Sequence, residues 1–267
     1  MAVSTTRRRV LRLPAGAAPV ETTGDPRAVE APLVLGLGGE VIATLMRSPG
    51  HDIELAAGWL VVESGVRTAP DVVRLAECHR EDVDRVDIVL RPGVRPPRPR
   101  AYLTASACGV CSADLLDLST VGSSGAPDAG WRVSRTVLEA LPDAMRRQQP
   151  GFRRSGAVHA AALATPTGDV LVVREDVGRH NAVDKVNGWA LLGGVLPARG
   201  LILVVSGRVS FEIVQKAVAA GVTAVVAVSA PTSLAVDLAR EHGLMLAGMV
   251  RDGRLNVYAG EERLADG

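Results

Sequence analysis

The chain has 267 residues, 47% of them apolar and 3% aromatic, and its formal net charge is +1. That length accommodates one large α/β domain or two of moderate size, and the apolar share suffices for a buried core. Near-neutrality gives no argument for a general nucleic-acid or membrane surface, although arginine far outnumbers lysine and leaves room for a local basic patch.

Arginines crowd residues 7–12, but no apolar run of signal-peptide length follows them. No apolar stretch reaches the roughly 20 residues that span a bilayer. A cytoplasmic location is expected, with neither nucleic acid nor membrane as partner. Three cysteines in a chain of this size do not form a disulfide framework, and a close pair in a reducing compartment is reactive or metal-binding.

Residues 1–28, rich in Arg, Ala, Pro and Thr, are expected to be weakly ordered. Residues 29–130 form a first, smaller, β-rich part. It opens with a hairpin of residues 33–35 and 41–43 around Gly38-Gly39, a favoured two-residue connection. Asp52 is expected to cap a helix over residues 53–63 that ends at Gly65. A strand over 85–90 leads into a proline-dense stretch, 91–100, which can join neither a sheet nor a helix interior. That connector runs up to Cys108-Gly109-Val110-Cys111. Ser112 then caps a short helix to Leu118, and a Gly/Ser segment, 122–130, follows. The cysteines thus sit in a long segment of low regular structure, a type that is usually mobile or functional.

Residues 131–267 form the second part. A helix over 134–149, kinked at Pro142, precedes strands at 158–163 and 170–173 around a turn at Thr167-Gly168. Helices at 181–192, 211–220 and 233–241 then alternate with apolar strands at 201–205, 223–228, 244–250 and 255–258. Continuous apolar strands between helices indicate an α/β fold with a mixed, largely parallel sheet covered on both faces.

The cysteine turn brings two sulfurs together, so that one can attack and the other can resolve or assist. The reactive species is the thiolate, favoured by the connector arginines and by a helix starting near Ser112. Zinc, for which Cys78 and His79 are the nearby further ligands, and a dithiol redox pair stay open from the spacing alone. A dense polar run, Arg174-Glu175-Asp176-Val177-Gly178-Arg179-His180-Asn181-Ala182-Val183-Asp184-Lys185, stands at a strand-to-helix junction, where α/β sheets bind ligands. Ser206-Gly207-Arg208 offers amide groups, a close-approach glycine and a guanidinium, a combination that suits a phosphate. Ala230-Pro231-Thr232-Ser233 repeats the arrangement one unit later, and the two together point to a pyrophosphate-bearing ligand. His159 lies in an apolar strand. Ala161 stands where the H-x-E pattern of zinc deaminases needs its carboxylate, so deamination is not expected.

Together these motifs resemble the formate dehydrogenase accessory sulfurtransferase family, FdhD, over residues 29–258. The likeness rests on Ser48-Pro49-Gly50-His51-Asp52, the cysteine turn, residues 156–163, 175–185 and 206–212, and Ser229-Ala230-Pro231-Thr232, completed by residues 251–258. The resemblance implies a sulfurtransferase with a cytidine-deaminase-like layered fold, acting as a homodimer. It takes sulfane sulfur from a cysteine desulfurase as a persulfide and passes it to the molybdenum bis(guanine dinucleotide) cofactor. The cofactor then enters formate dehydrogenase. Cys108 would carry the persulfide with Cys111 as its partner, although Ser112 replaces the glycine usual after the second cysteine. The family's cofactor-binding stretch would correspond to Met249, Val250, Arg251, Asp252, Gly253 and Arg254. Phosphates would lie on Ser206, Gly207, Arg208 and Arg251 to Arg254, and Glu175 or Asp176 would read a guanine edge. His159 and His180 complete the candidate set. No intrinsic metal is expected, and the competing reading is a non-catalytic chaperone that binds the cofactor.

Overall fold

The Gly38-Gly39 turn forms as expected: both glycines have positive φ, 61° and 91°, between strands β3 (Ala31–Leu37) and β4 (Glu40–Arg47). In a computed structural model, which describes residues 5–80, 83–98, 103–104 and 130–265, this hairpin centres a five-stranded sheet. Its other strands are β5 (Val72–Arg80), β6 (Val83–Leu90) and β7 (Leu103–Thr104), in the order β5-β6-β3-β4-β7. β5 has no counterpart among the expected elements, because Arg74, Glu77, His79 and Arg80 interrupt its apolar alternation. A helix, α1 (Asp52–Glu63), follows the hairpin. Asp52 is its first residue and not its cap; its carboxylate instead accepts from the buried Arg47 guanidinium at 2.9 and 2.7 Å.

Most of residues 5–28, for which weak order was expected, form two strands. β1 (Thr5–Arg12) and β2 (Val20–Ala28) pair antiparallel as a separate two-stranded arm. An arm this small is marginal alone, and it packs on α3 (Pro150–Ser155). α2 (Arg135–Arg147) precedes α3, is capped by Ser134, and runs through Pro142 without a break.

A six-stranded sheet forms the rest, from β8 (His159–Ala164), β9 (Val170–Asp176), β10 (Ile202–Val205), β11 (Ala224–Ala227), β12 (Met245–Arg251) and β13 (Arg254–Ala259). Its order is β13-β12-β11-β10-β8-β9. Only β10-β11 and β11-β12 pair in parallel, so the sheet is mixed and not largely parallel. Tight connections at Thr167-Gly168 and Asp252-Gly253 make hairpins, which force antiparallel neighbours. Three helices cross between the other strands: α4 (Arg179–Leu192), α5 (Phe211–Ala220) and α6 (Ser233–Glu241).

Period-two alternation splits the apolar side chains between two cores. Ile202 and Val204 face α2 with Leu138, Leu141 and Met145. Leu203 and Val205 face the opposite way, into a core shared with α4, α5, α1 and the five-stranded sheet. Each fully buried Leu or Val contributes about 1.5–3 kcal/mol. One continuous core therefore joins the two sheets, and the division at residue 130 does not separate independent hydrophobic cores.

Candidate functional site

Parallel pairing of β10, β11 and β12 lines up their carboxyl ends along one edge of the six-stranded sheet. β8 runs the other way, so its first residue, His159, stands at that same edge beside the end of β9. The sequence-separated motifs therefore meet there.

Ser206, just past β10, is fixed on both sides. Its amide donates to the Ala160 carbonyl at 3.0 Å, and its Oγ accepts from the Ala160 amide at 2.9 Å. His159 Nδ1 lies 3.4 Å from the same Oγ. Gly207 leaves room for its neighbours: a Cβ there would sit 3.3 Å from His159 Nδ1 and 3.5 Å from Arg179 Cδ. Arg208 projects into solvent. The next loop is laced to this one, with the Val209 amide donating to Ala230 and the Thr232 amide to Val209. Thr232 caps α6, its Oγ1 accepting from the Ala235 amide at 3.4 Å.

Charge at this edge is predominantly positive. Burial lowers the His159 pKa first, and the Arg179, His180 and Arg208 charges lower it further against the opposing pull of Asp176. Burial and then Arg208 also disfavour the charge on Arg179, whose Nε is buried without a hydrogen-bond partner among the described residues. His180 Nε2 lies 3.2 Å from Ser210 Oγ and 3.0 Å from Glu212 Oε2. Two arginines and a neutral histidine beside the starts of α4 and α5 form a setting for an anion.

The two carboxylates expected to meet a guanine have partners within the protein. Asp176 is wholly buried. It accepts from the Gly178 amide at 2.8 Å, Asn181 Nδ2 at 3.1 Å and the Ser48 amide at 3.1 Å, and pairs with Lys185 Nζ at 2.7 Å. Glu175 accepts from the Gly151 and Phe152 amides, both at 2.7 Å, and so holds the first turn of α3. Both carboxylates position backbone.

Met249 adopts φ 55° and donates its amide to Ser229, so the start of this stretch joins the edge. Val250 is buried in the α2-side core. Asp252 and Gly253, with φ 54° and 68°, make the two-residue hairpin turn, and the Gly253 carbonyl accepts from Arg135 of α2 at 3.3 Å. Arg251 and Arg254 flank that turn and are exposed. Arg135 thus ties the hairpin tip to the start of α2.

One contributor was not on the expected list. Ser48 donates its amide to Asp176, accepts the Val177 amide on Oγ at 3.1 Å, and accepts Lys185 Nζ on its carbonyl at 2.9 Å. Met46, two residues earlier, accepts from Asn181. The compact Ser48-Pro49-Gly50-His51-Asp52 motif was the available signal; what hid its role was a separation of some 130 residues from its partners. Cys108, Cys111 and the expected cap Ser112 lie outside the described residues. The nearest preceding strand, β7, pairs in parallel with β4, setting Thr104 beside Leu45.

The model of the FdhD/NarQ family matches residues 28–265, nearly the whole chain. The chain belongs to the FdhD/NarQ family. A Nocardia farcinica protein called sulfur carrier protein FdhD is 47% identical, covering 97% of this chain and 95% of its own length. A Streptomyces avermitilis protein of the same name is 45% identical, over 98% of this chain and 96% of that one. The crystal structure of a protein described as a formate dehydrogenase accessory protein, from Desulfotalea psychrophila, superposes with a TM-score of 0.78. At 22% identity over 98% of this chain and 100% of that one, it shows a shared FdhD/NarQ fold. Among the described residues no helix is long and apolar enough to cross a membrane, and no group of three or more His, Cys, Asp or Glu is placed to hold a metal ion.

Proposed function

We propose that this chain is a sulfur carrier serving formate dehydrogenase. The Cys108 thiolate attacks the outer sulfur of a persulfide on a cysteine desulfurase. A new S–S bond forms, the donor's S–S bond breaks, and the donor's thiolate leaves. The Cys111 thiolate then attacks the Cys108 sulfur of that persulfide. The persulfide S–S bond breaks and a Cys108–Cys111 disulfide forms, with the two electrons coming from the thiols. The released sulfide passes to the molybdenum bis(guanine dinucleotide) cofactor, bound as substrate, before that cofactor enters formate dehydrogenase. A cellular thiol reductant then restores the cysteine pair. Cys111 is the partner thiol, and the acting species is a homodimer in the cytoplasm.

The path of the chain supports this reading above all else. β7 runs beside β4 toward Ser48, and Ser48 is bonded to the β9–α4 junction at the positively charged edge. Cys108 is four residues past Thr104, a reach of at most about 14 Å. A sulfur on Cys108 is thereby tethered near a ligand held at that edge. Ser206, Gly207 and Arg208, with Arg179 and His159 beside them, take phosphate oxygens. Arg251 and Arg254 supply further charge two and three strand spacings away, about 10 and 14 Å. That span suits a ligand with more than one phosphate. The names of the relatives, all sulfur carrier protein FdhD, agree with this role.

The test is mass spectrometry after incubation with a cysteine desulfurase and cysteine. Cys108 is expected to gain the mass of one sulfur atom, and Cys108→Ala to abolish the gain. If the intact protein gains no sulfur while still binding the cofactor, it is a chaperone and not a carrier.

A further inference from the structure

The balanced net charge conceals a basic corner. Arg7, Arg8, Arg9 and Arg12 are all exposed on β1. Arg9 pairs with Glu21 and Arg12 with Asp25, whereas Arg7 and Arg8 have no carboxylate partner among the described residues. α3 packs on both strands of this arm and adds Arg153 and Arg154, again exposed. Arg146, at the end of α2, stacks 3.6 Å over the Phe152 ring and joins the same corner. Beyond the arginines the arm ends in an apolar tip. Residues 11–20 are all exposed, with Leu11 at 55%, Leu13 at 72% and Val20 at 54%, and Arg12 is the only charge among them.

An arm of two strands with an open β1 edge, an arginine collar and an apolar tip is built to be covered. A second copy is a poor occupant of the β1 edge, since pairing β1 with itself would set arginines opposite arginines. Nucleic acid is disfavoured too, because the arm carries no aromatic side chain on which a base could stack. Extended chain with carboxylates matches the edge and the collar, and apolar residues match the tip.

The corner's position names the partner class. Glu175 holds the first turn of α3, and α3 leads within four residues to His159 at the ligand edge. Whatever protein receives the ligand must approach beside this corner. We infer that the β1–β2 arm and α3 dock an acidic, partly apolar segment of the protein that accepts the cofactor. The inference rests on the sulfur-carrier reading for the identity of that acceptor, a formate dehydrogenase.

The apo catalytic subunit of the formate dehydrogenase from the same organism is the probe, immobilised for surface plasmon resonance with the full-length chain. Paired reversals Arg7→Glu/Arg8→Glu and Arg153→Glu/Arg154→Glu are each expected to weaken binding about tenfold or more, mainly through the association rate. The lysine versions should retain wild-type affinity, and wild-type binding should fall with added salt. Sulfur loading of Cys108 by the desulfurase is expected to stay at the wild-type level in every variant, which separates this inference from the sulfur-carrier reading. No wild-type binding, or unchanged affinity in both reversals, overturns the inference. So does salt-sensitive attachment to phosphatidylglycerol vesicles that Leu11→Asp/Leu13→Asp removes while enzyme binding is unaffected, since the arm would then serve a lipid surface.

Discussion

Gly58 of α1 and Gly188 of α4 meet backbone to backbone where the two helices cross. A Cβ on Gly58 would overlap the Asp184 carbonyl oxygen, and a Cβ on Gly188 would overlap that of Glu54. Both overlaps are with backbone, which cannot swing away as a flexible side chain would. Gly58→Ala or Gly188→Ala is therefore expected to cost about 3 kcal/mol, the upper range for overpacking, despite the better helix propensity of alanine. Urea denaturation checks this, and a variant within about 0.5 kcal/mol of wild type would show that the helices separate at little cost.

Asp184 of α4 pairs with Lys216 of α5 at 2.7 Å, and the β9–α4 junction rests on a second buried pair, Asp176 with Lys185. Lys185→Met leaves Asp176 buried beside only neutral donors. A loss of about 3–5 kcal/mol is expected. The double variant Asp176→Leu/Lys185→Met should recover part of that loss, because no lone charge then remains inside. Stability of the two variants in parallel denaturation curves tests the point; a double variant no more stable than Lys185→Met would contradict it.

Arg208 is exposed, and the proposed function assigns it to a phosphate of the ligand. Arg208→Ala is expected to weaken guanosine diphosphate binding about tenfold or more, as loss of a charge-assisted hydrogen bond does, with unfolding unchanged. Calorimetry reads the affinity directly, and an unaltered value removes Arg208 from the site.

Burial and the neighbouring arginines lower the His159 pKa, so the free protein holds this ring neutral near neutral pH. A bound phosphate works in the opposite direction and favours the charged ring. Binding at the edge is therefore linked to proton uptake. Guanosine diphosphate affinity is expected to rise as pH falls from about 8 toward 6, and His159→Gln should flatten the dependence.

Burial alone would raise the Glu54 pKa, but hydrogen bonds from Arg174 and then His51 outweigh it and hold the group at about 2. Because the folded value lies below the unfolded one, the stabilisation is complete above about pH 4.5 and is lost as pH falls toward 2. Glu54→Gln should remove roughly 3 kcal/mol at pH 7 and very little at pH 2. Equal losses at both values would mean that Glu54 acts through shape and not charge.

Local pattern alone determined a good deal of this protein. Helices 211–220 and 233–241 lie where their apolar spacing predicts them, and the Gly38-Gly39 turn forms between the strands it was expected to join. Such features depend on residues a few positions apart, so capping, periodicity and turn chemistry suffice to find them. The loop between β10 and α5 that holds Ser206-Gly207-Arg208 was legible for the same reason. Strand direction was not, because apolar runs in parallel and antiparallel pairs look alike until the hairpins at 167–168 and 252–253 are counted. The two strands of the amino-terminal arm were not legible either, because they pack on α3, some 125 residues away. Only the tertiary structure could turn Asp176 and Glu175 inward, since a carboxylate's partners depend on what packs above it. The same holds for Ser48: its bonds to Asp176, Val177 and Lys185 exist because α1 and α4 cross at two glycines, a contact that no local pattern encodes.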